Sequence, residues 1–171
     1  MELAKKRLPR SRLASGLKLL YSLIFLSFVL NHGCEMNPKF SELTEKDLEK
    51  VKIFYVRQSG KPGGGKMEVT ILGSGLYISK HYQQAHEPPI VREKTISAAE
   101  VKSLLQIFEQ EHFFSLKNHY PADHTFDFGR RILELKLPHR EKRVVVDRPG
   151  VLEFERIVDS LWQHLKLAEL S

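Results

Sequence analysis

Hydrophobic and polar positions change rhythm several times along this chain, and each change predicts an element. Residues 51–57 concentrate β-formers (Val51, Ile53, Phe54, Tyr55 and Val56) and predict a first strand. Over 67–72, Met67, Val69 and Ile71 alternate with Glu68 and Thr70, as in a half-buried strand. Gly73-Ser74-Gly75 turns the chain, and 76–82 returns as the hairpin partner. Pro88-Pro89 precedes a short extended piece over 90–95. The period then becomes helical, with Val101, Leu104, Leu105 and Phe108 at i, i+3, i+4 and i+7. Ser97-Ala98-Ala99-Glu100 opens this helix as a capping box: the serine hydroxyl accepts from a free backbone N–H, and the glutamate reaches back to the cap. The helix fades near Glu111, leaving Phe113, Phe114 and Leu116 to pack. Residues 131–137 and 143–147 predict a second hairpin around Pro138-His139-Arg140-Glu141. Pro149 is placed to open a last helix, where its missing N–H would be unpaired anyway. The apolar face of that helix is Val151, Phe154, Val158, Leu161, Trp162 and Leu165. The order β-β-β-(β)-α-β-β-α predicts an α+β fold: a single antiparallel sheet of about five to six strands with two helices packed on one face.

Ahead of this domain the pattern is different in kind. Lys5, Lys6, Arg7, Arg10, Arg12 and Lys18 form a cationic head, followed by the uncharged run over 19–30 and then by Asn31-His32-Gly33-Cys34. Twelve apolar or neutral residues fall short of the roughly 20 that cross a bilayer, and they match the hydrophobic body of an export signal. With Gly33 before the cut and Cys34, the chain's one cysteine, after it, the segment resembles a bacterial lipoprotein precursor. The resemblance implies cleavage between Gly33 and Cys34 and acylation of Cys34. The resembled pattern has Leu three residues before the cysteine and Ala or Ser two before, where this chain has Asn31 and His32. A lipid would also account for a single thiol in an exported protein, where cysteines otherwise pair. An uncleaved anchor over residues 13–30, with Lys18 reaching to the interface, is the competing reading. The expected organisation is a lipoprotein-type signal peptide at 1–33, a tether and lead-in segment at 34–50, and one α+β domain at 51–168.

Charge follows from this division. The chain carries a formal +6, yet residues 1–33 hold six Lys/Arg against Glu2, and the remaining 138 residues hold 21 basic and 20 acidic side chains. A near-neutral exported domain has no general electrostatic claim on nucleic acid.

Two loops contain candidate chemistry. Gly60-Lys61-Pro62-Gly63-Gly64-Gly65-Lys66 has the glycine and lysine spacing of a phosphate-binding loop. However, Met67 stands where the magnesium-binding hydroxyl belongs, and a strand follows instead of a helix. Nucleotide binding is not expected; Gly60, Gly63, Gly64 and Gly65 are read as a hairpin loop that contacts a partner. His119, Asp123, His124 and Asp127 form the second candidate, a loop in which imidazoles and carboxylates could hold a divalent metal for a hydrolase. No Gly-x-Ser-x-Gly elbow is present and no side chain stands out as a nucleophile. Glu109, Glu111 and Glu141-Lys142-Arg143 read as solvated surface. The pieces Arg57-Gln58-Ser59-Gly60, Gly73-Ser74-Gly75 and Ile96-Ser97-Ala98-Ala99-Glu100 resemble small uncharacterised domains of bacterial lipoproteins and exported proteins. That resemblance, over about residues 51–165, implies the fold and no activity. The expected function is a lipid-anchored cell-envelope module, non-catalytic and without cofactor, that meets the membrane through its lipid and an envelope protein through its surface. The metal-dependent hydrolase is the rival.

Overall fold

The computed structural model describes residues 40–84, 87–122 and 129–167. The chain divides into two units, Met1–Asn37 and Pro38–Ser171, and every described residue belongs to the second. Four strands come first: β1 (Lys52–Gln58), β2 (Lys66–Leu72), β3 (Leu76–Tyr82) and β4 (Ile90–Thr95). After helix α2 (Ala98–Gln110) come the two-residue β5 (His119–Tyr120), β6 (Arg130–Lys136), β7 (Glu141–Val146) and helix α3 (Leu152–Leu167); a one-turn helix α1 (Glu45–Leu48) precedes them all. The result is an α+β fold with one sheet in the order β4-β3-β2-β1-β6-β7-β5.

The sheet differs from the expected one in strand count and in the direction of one pairing. It has seven strands, and β5 joins β7 in parallel, so it is mixed rather than antiparallel. Two residues carry no periodicity to read. They are held as a strand because Val145 N–H donates to Asn118 O and Asp147 N–H to Tyr120 O, both at 2.9 Å.

The last helix also starts later than Pro149 suggests. Gly150 takes φ +84°, a left-handed conformation that ends any helical run from Pro149, and α3 begins at Leu152. Its first turn closes through Glu155 N–H to Val151 O at 2.9 Å.

The stretch read as tether and lead-in carries core side chains. Phe40 and Leu48 are 2% and 3% exposed, and Thr44 caps α1 by accepting from Asp47 N–H at 3.2 Å. Phe40 N–H donates to Glu109 Oε2 at 3.3 Å, and the Phe40 ring meets Phe114 edge-on. Glu109 is therefore occupied rather than merely solvated. Glu111 likewise pairs with Arg156, and Lys142 Nζ reaches Phe114 O at 3.0 Å.

The capping box forms as expected, with Glu100 N–H to Ser97 Oγ at 3.2 Å and Ser97 N–H to Glu100 Oε2 at 2.6 Å. Val101, Leu104, Leu105 and Phe108 are all buried and face the sheet's core side, alongside Phe154, Ile157 and Leu161 of α3. Buried strand positions other than Val56 share one parity: Ile53 and Tyr55, Val69 and Ile71, Leu133 and Leu135, Val144 and Val146. Register then aligns one row across this face, Ile90–His81–Met67–Arg57–Arg131–Val146–Tyr120. The row marks where the apolar core gives way to charge.

Candidate functional site

At that boundary α3 and the sheet part to leave a cleft of about 420 Å³. Its floor is Tyr55, whose residue surface is only 3% exposed and whose ring meets half-buried Trp162 edge-on at 6.1 Å. The Tyr55 hydroxyl has no hydrogen-bond partner among the described residues. It is not sealed from solvent either, so it opens into the cleft. Burial raises its pKa; the charges of Arg131 and Arg57 oppose the rise, while Glu155 and Asp159 add to it. The phenol is thus a neutral donor at ordinary pH, held rigidly by the core.

Arg57 and Arg131 face each other directly across β1 and β6. Like charges at opposed positions destabilise a sheet unless they are neutralised. Arg131 is neutralised: Glu155 accepts from it in a bidentate pair, with one leg of 2.8 Å, while Arg148 O takes a further bond at 3.0 Å. Its guanidinium also lies 5.3 Å over the Phe154 ring. Arg57 has no ion-pair partner among the described residues. Asp159, one helical turn beyond Glu155, lines the opposite wall and is likewise without one among them. The cleft therefore offers a hydroxyl, a guanidinium and a carboxylate around an indole and Val158. These groups can bind and orient a ligand, and the described residues place no nucleophile among them.

The chain matches no family model and no curated protein. The geometry of the cleft and of the loops around it therefore carries the functional argument.

The candidate residues read from sequence fall in three places. Gly33, Cys34, Asp123, His124 and Asp127 lie outside the described residues. His119 sits at the sheet edge, where its Nε2 lies 2.9 Å from Asp147 Oδ2, and Arg130 Nε donates to Asp147 Oδ1 at 2.8 Å. Among the described residues no group of three metal-ligating side chains converges. Gly60, Gly63, Gly64 and Gly65 form the β1–β2 loop, closed by Ser59 N–H to Gly65 O at 3.0 Å and by Gly64 N–H to Lys61 O at 2.9 Å.

The cleft itself was not read from sequence, although a signal existed. Arg131 lies in phase with Leu133 and Leu135, and Arg57 with Ile53 and Tyr55. A charge at an in-phase position marks the end of the covered sheet.

The Asp147 set makes a pH prediction. Arg130's hydrogen bond, with help from His119, holds the Asp147 carboxyl below the ordinary aspartate range, against the opposing effect of burial. A depressed folded-state pKa stabilises the fold above about pH 4, and that contribution disappears as pH falls through the depressed value. Side chains of Arg130 and His119 are 56% and 52% exposed, so solvent screening limits the set to about 1 kcal/mol. Asp147→Asn is expected to melt a few degrees below wild type at neutral pH, with the gap closing below about pH 4. Thermal unfolding across pH checks this; a gap that stays constant into acid would contradict it.

Proposed function

We infer that the protein is a lipid-anchored module of the bacterial cell envelope that binds a protein partner in the cleft beneath α3 and transforms no substrate. The sequence supports the anchor through the cationic head, the short apolar body and Gly33-Cys34. Five residues separate Cys34 from the buried Phe40, a reach of about 20 Å at most, so an acylated Cys34 keeps the domain at the bilayer surface. Several acyl chains on one terminus make such anchoring stable, since one chain alone binds marginally.

The observation that carries the binding reading is the Tyr55 hydroxyl, a polar group on a core-buried ring with no protein partner of its own. The hydroxyl opens to solvent in the cleft, so its hydrogen-bonding capacity is free for a ligand that displaces water. Trp162 and Val158 supply the apolar contact, and Arg57 and Asp159 supply opposed charges for orientation. A cleft of this size takes one or two side chains of a partner.

Trp162 is the chain's one tryptophan, which makes it a reporter inside the site. Full-length protein labelled with 5-fluorotryptophan gives a single fluorine line, to be followed while detergent extract of the host's envelope is added. The expected result is a saturable shift or broadening, with Tyr55→Phe requiring about fivefold more extract, the equivalent of one hydrogen bond near 1 kcal/mol. A line that stays fixed at the highest extract concentration, or that responds equally in Tyr55→Phe, overturns the reading.

A further inference from the structure

Arg57 also lines a second hollow, of about 340 Å³, between the β1–β2 loop and β3. The titratable residues around it are Arg57, Lys61, Lys66 and His81, and none of them is acidic. Lys66 is already engaged, paired with Glu68 and lying 5.5 Å from the centre of the Tyr82 ring. Arg57, Lys61 and His81 have no ion-pair partner among the described residues. Arg57 carries the further burden of facing Arg131, whose one carboxylate partner, Glu155, is fully used. An anion beside Arg57 would relieve that repulsion.

The loop has a shape suited to the task. Lys61 N–H donates to Ser59 Oγ at 3.2 Å, so Lys61 is carried on a hydrogen-bonded turn. His81 is directly opposite Ile90 on the edge strand β4, and Ile90 is 49% exposed. The hollow thus combines a guanidinium, an ammonium and an imidazole with an exposed apolar side chain at its flank.

We propose that this hollow binds a phosphate-type anion, a phosphomonoester or phosphodiester whose oxygens accept from Arg57, Lys61 and His81. Guanidinium and ammonium donors together suit a tetrahedral oxyanion better than a planar carboxylate, which one guanidinium already satisfies. Such an anion comes either as a free phosphate ester or as an anionic lipid headgroup. The site shares Arg57 with the cleft but not its Tyr55 floor, and Lys61 and His81 belong to the hollow alone.

The test uses nitrogen-labelled full-length protein in maltoside micelles, which contain no phosphate. One arm adds inorganic phosphate, a second adds phosphatidylglycerol to the micelles, and sodium chloride at matched ionic strength is the reference. Saturable shifts of the Gly60, Gly63, Gly64 and Gly65 amides and of the His81 ring are expected in at least one of the first two arms. Arg57→Gln is expected to weaken binding about tenfold, the effect of one charge-assisted hydrogen bond. Lys61→Gln, on the exposed loop, serves as the second variant, and a dispersed amide spectrum shows that each variant is folded. Response to inorganic phosphate shows that the free anion suffices without a lipid, and response to phosphatidylglycerol alone identifies a headgroup. Equal shifts with chloride, no shift in either arm, or unchanged affinity in both variants overturns the proposal. The fluorine line of Trp162 reports the cleft separately, so failure here and failure there are distinguishable.

Discussion

Gly73→Ala is expected to lower the melting temperature of the domain by about 10–20 °C, a loss of about 3 kcal/mol or more. Gly73 turns the chain between β2 and β3, and its N–H donates to Val51 O at 2.9 Å. A Cβ at this position would lie 1.5 Å from Leu48 O and 2.5 Å from Leu48 C, both backbone atoms at the end of α1. No rotamer change relieves a backbone clash. Either the turn or the end of α1 must move, and both are anchored: Leu48 and Val51 are 3% and 2% exposed, and Leu48 O accepts from Val51 N–H at 2.9 Å. The end of α1 is thereby held against the β2–β3 turn. Gly63→Ala is the informative control. Gly63 has φ +71° and nothing within 4 Å of its would-be Cβ, so its substitution costs only the left-handed conformation, about 1 kcal/mol. Paired thermal melts should separate the two glycines clearly. If Gly73→Ala melts at or above Gly63→Ala, α1 does not close onto the β2–β3 turn as described.

Elements whose physics is local were legible in the sequence. The Ser97–Glu100 capping box and the Val101, Leu104, Leu105 and Phe108 face need only their own spacing to be recognised, and both are present. The β2–β3 hairpin follows from alternation interrupted by Gly73-Ser74-Gly75. What escaped depends on distant partners. β5 exists because the chain after α2 passes alongside β7, and two residues hold no period of their own. Phe40 looks like a lone aromatic in a polar stretch until Phe114, Arg140 and the Glu109 carboxylate surround it. The cleft arises from a register, Arg57 opposite Arg131, that sequence spacing does not specify, and from the placement of Glu155 and Asp159 above it by α3. Pro149 misled for a local reason: the glycine that follows it takes a left-handed conformation and delays the helix to Leu152.

The largest effect expected of any substitution is on location rather than stability. Cys34→Ala removes the sulfur that would carry the lipid, and with it the acylated, processed form of the protein. Because stable anchoring needs more than one acyl chain, and Cys34 is the only thiol, no other residue can substitute for it. The mature form in the membrane fraction is therefore expected to fall by well over tenfold in the variant, on the order of the binding that several chains supply. No helix among the described residues is long and apolar enough to cross a membrane, and residues 13–30 lie outside them. Intact mass of the protein extracted from its host's membranes, measured beside Cys34→Ala, tests this most directly. The expected mass in the wild type is that of residues 34–171 plus acyl groups, and that species is expected to disappear in the variant. A full-length mass, or a cleaved chain without lipid, would contradict it.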